Sequence, residues 1–396
     1  MIVSDDSLAL LGRPTCYRVD LDIIERNVRD MRAIIGPNVK LAAVLKADAY
    51  GHGAAAIAGT ILNASADLLA VATLSEALEL RRAYPDAPIL VMGYTPPALA
   101  RAVVAQRIIP TLFDAGAATV FSDAALSAGR KLPVHIKLDT GMNRLGIKAY
   151  ERPDKVVAAI AALPGLTIAG TFTHLALRDR ASDLAQYALY REMLGACEAR
   201  GIPTGSRHVC DSIGAVRYPE FRLDMVRVGA AFFGVRPMRM GPEYDAYPFP
   251  APAAFVTRIA RIRTLAEGEM VSYDDSWKAP ARGTRIATLP VGYADGYPRR
   301  FGNRAQVLVN GRRAPVVGLV CMDQAMVDLG DIEAEEGDEA ILLGAGIGLG
   351  EAADWGSTNR NEILCGIGRR VPRLYVRRGA TAAFDDRLSG STLTWL

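Results

Sequence analysis

The chain has 396 residues, of which 50% are hydrophobic and 22% are charged, and its formal net charge is +3. This length allows a large core and predicts two domains, or one barrel with a smaller second domain. The near balance of charge excludes a disordered chain and gives no electrostatic basis for binding nucleic acid or an anionic membrane. We therefore expect its partners to be small molecules or further copies of the chain.

The N-terminus and the cysteines predict a cytoplasmic protein. No basic region followed by a long apolar stretch opens the chain, so neither a signal peptide nor a membrane span is predicted. The five cysteines are odd in number and widely spaced, which indicates reduced thiols rather than disulfides. The four histidines lack the spacing of zinc ligands, and we predict no metal site.

The first part of the chain alternates short apolar runs with helical stretches, a pattern typical of βα units with buried parallel strands. Capping pairs support the starts of two helices, Asp22 with Glu25 and Thr73 with Glu76. The predicted strands are residues 39–46, 68–73, 87–93, 108–113, 133–139, 166–174, 206–211 and 222–229. Eight strands are what an α/β barrel of the (β/α)8 TIM type requires.

The pattern changes after residue 235. A proline-rich passage is followed by short strand-like runs, and the pair Asn310-Gly311 between two of these runs is a strong hairpin signal. We predict an N-terminal barrel domain over residues 14–240 and a C-terminal, mostly-β domain over residues 241–396. Residues 1–13 are expected to pack against this second domain.

Lys46 is a candidate for amine chemistry. It ends the first predicted strand and precedes the glycine-containing segment ADAYGHGA. An amine at the border of a buried strand is partly desolvated, which lowers its pKa and suits it to form a Schiff base. The chain has only seven lysines, so few other candidates exist. From this residue alone, a strand-end lysine that extends its amine into solvent remains the alternative.

Seven segments, in order along the chain, resemble the alanine racemase family. They are AVLKADAYGHG (43–53), HIKLDTGMNRLG (135–146), GTFTHLA (170–176), DMVRVG (224–229), VSYDDSW (271–277), PVGYADGYPR (290–299) and CMDQAMVDLG (321–330). The resemblance implies a fold-type III isomerase that uses pyridoxal 5'-phosphate. It also implies an amino acid substrate, interconversion of L-alanine and D-alanine, D-alanine biosynthesis for peptidoglycan, and a homodimer whose active site is shared across the interface.

The resemblance assigns two bases to the reaction. Lys46 matches the lysine that holds the cofactor and acts on one face of the substrate Cα. Tyr273 matches the second base, which reaches the opposite face from the other subunit. A racemase needs two acid/base groups on opposite sides, because one removes the α-proton and the other returns a proton from behind.

Other positions match the cofactor and substrate contacts of the family. Arg227 would face the pyridine nitrogen and leave it unprotonated, because a guanidinium does not accept that proton. Arg144 would contact the phenolic oxygen and the substrate carboxylate, and Lys137, which is carbamylated in many members, would orient it. His208 would support Arg227 from behind. The remaining matches are the cofactor contacts Tyr50, His174, Ser212, Gly229 and Ala230, and the substrate-pocket residues Tyr293, Met322 and Asp323.

Two positions depart from the family pattern. Asp211 stands where Asn is common, and it places a negative charge near the phosphate unless it turns away or pairs with an arginine. Arg369 stands where some members have an entrance-lining tyrosine, and it would bind the phosphate or widen the entrance. A racemase of the same fold acting on serine, lysine or a broader set of amino acids therefore stays open.

Two further alternatives are disfavoured by particular residues. A decarboxylase of the same barrel would carry a carboxylate in the place of Arg227. A non-catalytic carrier of pyridoxal phosphate would need only the barrel, and the second domain with its VSY and CMDQ segments argues against it.

Overall fold

The computed structural model describes residues 12–236, 247–388 and 391–395. Its strands form one eight-stranded sheet and one eleven-stranded sheet. None of the helices in these ranges is long and apolar enough to cross a membrane.

The eight predicted barrel strands are all present and form one parallel sheet. Strand β1 (Cys16–Asp20) precedes them, and in chain order they are β2 (Lys40–Val44), β3 (Leu68–Val71), β4 (Ile89–Val91), β5 (Ile109–Leu112), β6 (Leu132–Lys137), β7 (Leu166–Phe172), β8 (Ser206–His208) and β9 (Met225–Val228). Their spatial order is β8-β7-β6-β5-β4-β3-β2-β9. Backbone hydrogen bonds from Asp224 to Arg207 (3.1 Å) and from Arg227 to Cys210 (3.0 Å) join the two end strands. The predicted TIM-type barrel is confirmed.

Helices surround the barrel and connect its strands. They are Leu21–Ile35, Ala54–Asn63, Leu74–Ala83, Ala100–Ala105, Ala115–Ser127, Pro153–Ala161, Arg180–Glu198 and Ser212–Arg217. The predicted capping box of Thr73 and Glu76 is present. The first helix instead begins at Asp20, whose carboxylate accepts the N–H groups of Asp22 and Ile23, so the predicted start at Asp22 is wrong by two residues.

The second sheet is mostly antiparallel and builds the predicted β domain. Its strands are β1, β10 (Ala253–Arg258), β11 (Arg261–Leu265), β12 (Thr284–Leu289), β13 (Gln306–Val309), β14 (Arg312–Val317), β15 (Ala325–Asp328), β16 (Glu339–Leu343), β17 (Arg373–Arg377), β18 (Ala380–Asp386) and β19 (Ser391–Trp395). The helices Leu349–Gly356 and Arg360–Cys365 connect β16 to β17.

Strand β1 lies within the predicted barrel domain, residues 14–240, but it belongs to the second sheet. It pairs antiparallel with β10 and parallel with β17, and it buries Cys16 against apolar residues of those strands. Arg13 also contacts this domain, through an ion pair of 2.7 Å with Asp295. Residues 1–11 and the predicted boundary at residues 240–241 lie outside the described residues.

The two domains meet beside the mouth of the barrel. The helix Arg360–Cys365 of the β domain packs against the turn that follows β2. A Cβ at Gly51 would lie 2.5 Å from the carbonyl oxygen of Leu364, so only glycine allows this approach. The β domain therefore forms one wall of the space above the barrel strands.

Candidate active site

A cavity of about 450 Å³ opens at the carboxyl ends of the barrel strands. It gathers nine of the predicted site residues, eight of them expected to contact the cofactor or the substrate and one, Lys137, expected to orient Arg144, together with Asp211. These are Lys46, Tyr50, Lys137, Arg144, His174, Ser212, Arg227, Gly229 and Ala230. Strand ends far apart in the chain thus place an amine, several cations and hydroxyl groups around one space.

The turn after Lys46 has an unusual backbone. The four residues from Ala47 to Tyr50 have φ angles of 53° to 55°, in the left-handed region. For residues other than glycine, this conformation costs roughly 1–2 kcal/mol each. Glu76 helps to hold it by accepting the N–H of Ala47 at 2.7 Å. The turn carries Lys46 and Tyr50 into the cavity at its two ends.

The amine of Lys46 has the properties of a nucleophile. Burial in the cavity lowers its pKa, and the nearby charge of Arg144 lowers it further. A larger fraction of this amine is therefore neutral near pH 7 than for an ordinary lysine. The neutral form is the one that attacks a carbonyl carbon.

One end of the cavity is built to receive an anion. The hydroxyl of Ser212 accepts the backbone N–H groups of Gly229 (3.1 Å) and Ala231 (3.2 Å). A Cβ at Gly229 would lie 2.8 Å from the carbonyl oxygen of Val44 and 2.9 Å from the hydroxyl of Tyr50. Glycine therefore keeps open a cradle lined by the hydroxyls of Tyr50 and Ser212 and by the backbone at Gly229 and Ala230.

Asp211 turns its carboxylate toward a helix end. One oxygen accepts the N–H groups of Ile213 (3.0 Å) and Gly214 (2.9 Å) and caps the helix Ser212–Arg217. Burial raises the pKa of Asp211, although these hydrogen bonds and the charge of Arg227 oppose the rise. Asp211 stands where Asn is common in the family, and its carboxylate is accommodated at the helix N-terminus, where a negative charge is favourable.

Arg227 is buried beneath the cavity floor with most of its donors engaged. Its Nη1 contacts Nδ1 of His208 (2.9 Å) and the carbonyl oxygen of the same residue (3.1 Å). Its Nη2 donates to the carbonyl oxygens of Thr173 (2.8 Å) and Val209 (2.9 Å). Within the part of the chain that the structure describes, no hydrogen bond is formed by its Nε–H, so that donor remains for a ligand.

His208 and His174 flank Arg227. His208 is fully buried behind it and stacks on Phe172 with a centroid distance of 4.7 Å. His174 lines the cavity, and its Nδ1 lies 3.5 Å from Nη2 of Arg227. Burial, and then the charge of Arg227, lowers the pKa of both imidazoles well below the usual value. Both rings are therefore neutral near pH 7.

Arg144 is positioned through its backbone. Asp139 accepts the N–H groups of Gly141 (2.9 Å), Asn143 (3.2 Å) and Arg144 (3.1 Å) and so shapes the loop after β6. Burial alone would raise the pKa of Asp139, but these bonds outweigh burial and lower it. The guanidinium of Arg144 makes no hydrogen bond to any residue in the described ranges, and it faces the cavity.

Lys137 is a buried amine under the same cavity. Its Nζ lies 4.3 Å from the ring centroid of Phe172. Burial is the main cause that lowers its pKa to about 7, and the charges of Arg227 and Arg144 add to it, opposed by Asp139. Near neutral pH a larger fraction of this amine is therefore uncharged than for an ordinary lysine.

The predicted residues of the β domain lie away from this cavity but close to one another. Tyr293 and Ala294 donate their N–H groups to the carbonyl oxygens of Cys321 and Met322 at 3.0 Å. Ser272, next to Tyr273, donates to the carbonyl oxygen of Leu319 at 2.6 Å. These hydrogen-bonded loops carry four of the predicted site residues, Tyr273, Tyr293, Met322 and Asp323.

The aromatic and apolar side chains on these loops are unusually accessible. Tyr273 is 59% exposed, Met322 53% and Tyr293 41%. Asp323 forms an ion pair of 2.8 Å with Arg370. The neighbouring Arg369 is exposed and does not line the barrel cavity.

Several cavity residues were not anticipated. Phe172 ends β7 and lies against His208, Lys137 and Arg227; its place in the GTFTHLA segment was an available signal. The β domain adds a rim to the cavity, and no strand-end or motif signal marks the residues that form it. They are Asn359, Arg360 and Asn361, opposite Arg236 of the barrel.

Comparison with known proteins gives consistent matches over both domains. The model of the alanine racemase N-terminal domain matches residues 19–237, and that of the C-terminal domain matches residues 253–375. The alanine racemase of Symbiobacterium thermophilum is 41% identical over 371 residues, which are 92% of this chain and 97% of that protein.

Two solved structures show the same architecture. Alanine racemase from Bacillus anthracis with bound L-Ala-P has a TM-score of 0.88 and 32% identity, covering 96% of this chain and 99% of that chain. Alanine racemase from Bartonella henselae with covalently bound pyridoxal phosphate has a TM-score of 0.83 and 29% identity, covering 92% and 99%.

The fold, the cavity and the matches to known proteins together define the class of this chain. It is an isomerase that depends on pyridoxal phosphate and consists of a (β/α)8 barrel and a β domain. Within this class it belongs to the alanine racemase family. The family resemblance, the fold class and the enzyme class predicted from the sequence are confirmed.

Proposed function

We propose that this chain interconverts L-alanine and D-alanine with pyridoxal 5'-phosphate held in the barrel cavity and with Lys46 and Tyr273 as its two bases. The observation that carries the proposal is the content of that one cavity. It holds an amine of lowered pKa, an anion cradle around Ser212 and Gly229, and the free Nε–H of Arg227.

The donor set fits this cofactor group by group. The cradle of hydroxyls and small residues around Ser212, Gly229 and Tyr50 suits a phosphate. The free Nε–H of Arg227 suits an unprotonated pyridine nitrogen, which accepts but cannot donate. Lys46 is the amine that would form the Schiff base.

The chemistry divides between the cofactor and the protein. When bound, pyridoxal phosphate withdraws electrons from the substrate Cα and makes its proton more acidic. Nζ of Lys46 takes that proton on one face of the substrate. The hydroxyl of Tyr273 of the partner subunit gives a proton to the opposite face, and in the reverse direction the two groups exchange roles.

Arg144 and Arg227 set the geometry and the electronics of this step. The guanidinium of Arg144 binds the substrate carboxylate, whose two oxygens match the fork of its donors. Arg227 stays protonated and keeps the pyridine nitrogen unprotonated. An arginine at this position would thereby limit side reactions such as transamination.

The placement of Tyr273 supports a homodimer. Within one chain, the loops that carry Tyr273, Tyr293 and Met322 form an exposed surface apart from the barrel cavity. Exposed apolar and aromatic side chains on one surface are typical of interaction sites. A second copy would cover this surface and deliver Tyr273, with Met322, Asp323 and Tyr293, to the mouth of the partner's barrel.

Lys137 would act as a carbamate. Its neutral amine attacks carbon dioxide, a C–N bond forms, and one proton is released to solvent, leaving an anionic carbamate. This anion would lie between the cations Arg227 and Arg144 and hold the latter in place. The burial of the amine and its pKa of about 7 support the assignment.

The proposed setting is the cytoplasm. The structure contains five free cysteines, three of which are buried. Free thiols persist in reducing compartments, which agrees with that location.

A substrate panel tests the function. The purified chain is assayed for racemisation of alanine, serine and lysine, with and without added pyridoxal phosphate, alongside the variant Lys46→Arg. We expect the highest kcat/KM for alanine, full dependence on the cofactor and loss of activity in the variant. Faster turnover of serine or lysine would assign a broader racemase, and release of carbon dioxide would assign a decarboxylase.

A further inference from the structure

The left-handed turn after Lys46 is contacted by the other domain as well as by the barrel. Arg387, which follows β18, donates from Nη2 to an oxygen of Asp48 at 2.7 Å. Further contacts from the same sheet reach the end of the turn. They are Arg373 Nε to the carbonyl oxygen of Gly51 (3.2 Å), Tyr375 hydroxyl to the carbonyl oxygen of His52 (3.2 Å), and Tyr17 hydroxyl with Nε2 of His52 (3.1 Å).

Asp48 is the residue of the left-handed turn whose side chain the β domain binds. One of its oxygens accepts the N–H of Ala54, the first residue of the following helix, at 2.8 Å. The other binds Arg387, which is itself braced by Asp385 at 3.2 Å. One carboxylate thus ties the turn both to the barrel helix and to the β sheet.

The conformation of the turn requires such support. Ala47, Asp48, Ala49 and Tyr50 all have positive φ angles, and none of them is a glycine. Residues in this region persist only where their surroundings over-determine them. A turn that relaxed toward negative φ would change the direction in which the adjacent Lys46 enters the cavity.

We propose that Arg387 is a positioning residue, which fixes the left-handed turn through its ion pair with Asp48 and thereby aims Lys46 into the cavity. The effect on the turn stands on geometry alone. The effect on turnover rests on the proposed function, in which Lys46 is a base. The β domain would then have a role within its own chain in addition to carrying Tyr273 toward a partner.

The chain offers a matched control for this ion pair. Arg377 on β17 binds Glu25 on the helix Leu21–Ile35 at 3.1 Å, and this pair also joins the β sheet to the barrel domain. Its side chains are 34% and 26% exposed, against 21% and 22% for Arg387 and Asp48. The control pair does not touch residues 46–53.

The first measurement is hydrogen exchange on the cofactor-free protein. Backbone amides of residues 47–53 are compared in the wild type and in the variants Arg387→Gln, Arg387→Lys and Arg377→Gln. We expect about tenfold faster exchange of these amides in Arg387→Gln, partial recovery in Arg387→Lys and no change in Arg377→Gln. Equal exchange in the two Gln variants would overturn the positioning role.

The second measurement uses the holoenzyme of the same variants. In Arg387→Gln we expect kcat to fall about tenfold with little change in KM, and the pH at which the Schiff-base absorption band titrates to shift. Arg377→Gln should match the wild type in both. Faster exchange with unchanged kcat and spectrum would overturn the link to Lys46. Absence of racemisation in the wild type would instead refute the proposed function and leave the exchange result standing.

Discussion

Nη1 of Arg227 lies 2.9 Å from Nδ1 of His208, and Nε2 of the same imidazole lies 2.9 Å from Nδ1 of His135. A guanidinium only donates, so Nδ1 of His208 accepts and its proton resides on Nε2. That proton is then donated to His135. The buried chain of three residues holds Arg227 in one orientation and engages its Nη1, while no hydrogen bond of its Nε–H is formed within the described residues.

Replacing His208 should therefore affect the cofactor through Arg227. His208→Leu removes an acceptor from the guanidinium and a donor from His135, and we expect kcat/KM to fall about tenfold or more. His208→Gln keeps one acceptor and one donor and should retain most of the activity. Steady-state kinetics, with cofactor affinity measured by absorption, compare the two. Equal loss in both variants would show that packing, not hydrogen bonding, is what matters at this position.

Tyr273→Phe should abolish proton exchange on one face of the substrate. The variant removes only a hydroxyl, so the Lys46 Schiff base and its absorption band should be unchanged, while racemisation falls at least about a hundredfold. Exchange of the α-proton with deuterated solvent, followed separately for L-alanine and D-alanine, measures each face. Tyr150→Phe, at another exposed tyrosine, is the control. Full activity of Tyr273→Phe would contradict the second-base role.

Lys137 should bind carbon dioxide in a pH-dependent manner. Because burial lowers its pKa to about 7, the neutral amine and the carbamate should accumulate above pH 7 and be lost below it. Carbon-13 NMR in labelled bicarbonate should show one carbamate signal that is absent from Lys137→Gln. Lys148 pairs with Asp139 and should not form a carbamate. The control variant Lys148→Gln should therefore keep the carbamate signal. An unmodified amine at pH 8 would exclude the carbamate.

Acid should destabilise the fold below pH 6.5. Burial lowers the pKa of His52 and His135 from 6.5 to about 4, so the unfolded chain takes up protons in this range that the folded protein does not. The stability these neutral rings contribute is complete above pH 6.5 and lost as the pH falls toward 4. Each should reduce the free energy of unfolding by about 1.4 kcal/mol per pH unit.

Urea unfolding between pH 6.5 and 5 measures this slope above the range where carboxylates dominate. His52→Gln should keep the contact with Tyr17. It should reduce the pH dependence of the free energy of unfolding by the contribution of one histidine. A free energy of unfolding that does not change over this interval would show that these imidazoles are protonated in the folded protein.

The barrel strands were predictable because a parallel strand buried on both faces is a continuous apolar run. β1 was not among the predicted strands, and it joins the second sheet through β10 and β17, which lie far along the chain. Lys46 was recognisable because an amine stands at a strand end, whereas Arg227 and Gly229 were assigned through the resemblance of their segments to the family. The rim residues Asn359 to Asn361 carry no such signal, because they reach the cavity only through the packing of the two domains.

The amino-acid sequence by itself determined the barrel, the family and the chemical groups of the cavity, since these follow from local periodicity and from short motifs. Tertiary structure alone decided how those groups are held. The left-handed turn after Lys46 is contrary to the local preference of its residues, and its Asp48 is bound by Arg387, more than three hundred residues further along the chain. The lowered pKa values of Lys46 and Lys137 arise from burial and from neighbouring arginines, which only the folded chain brings together.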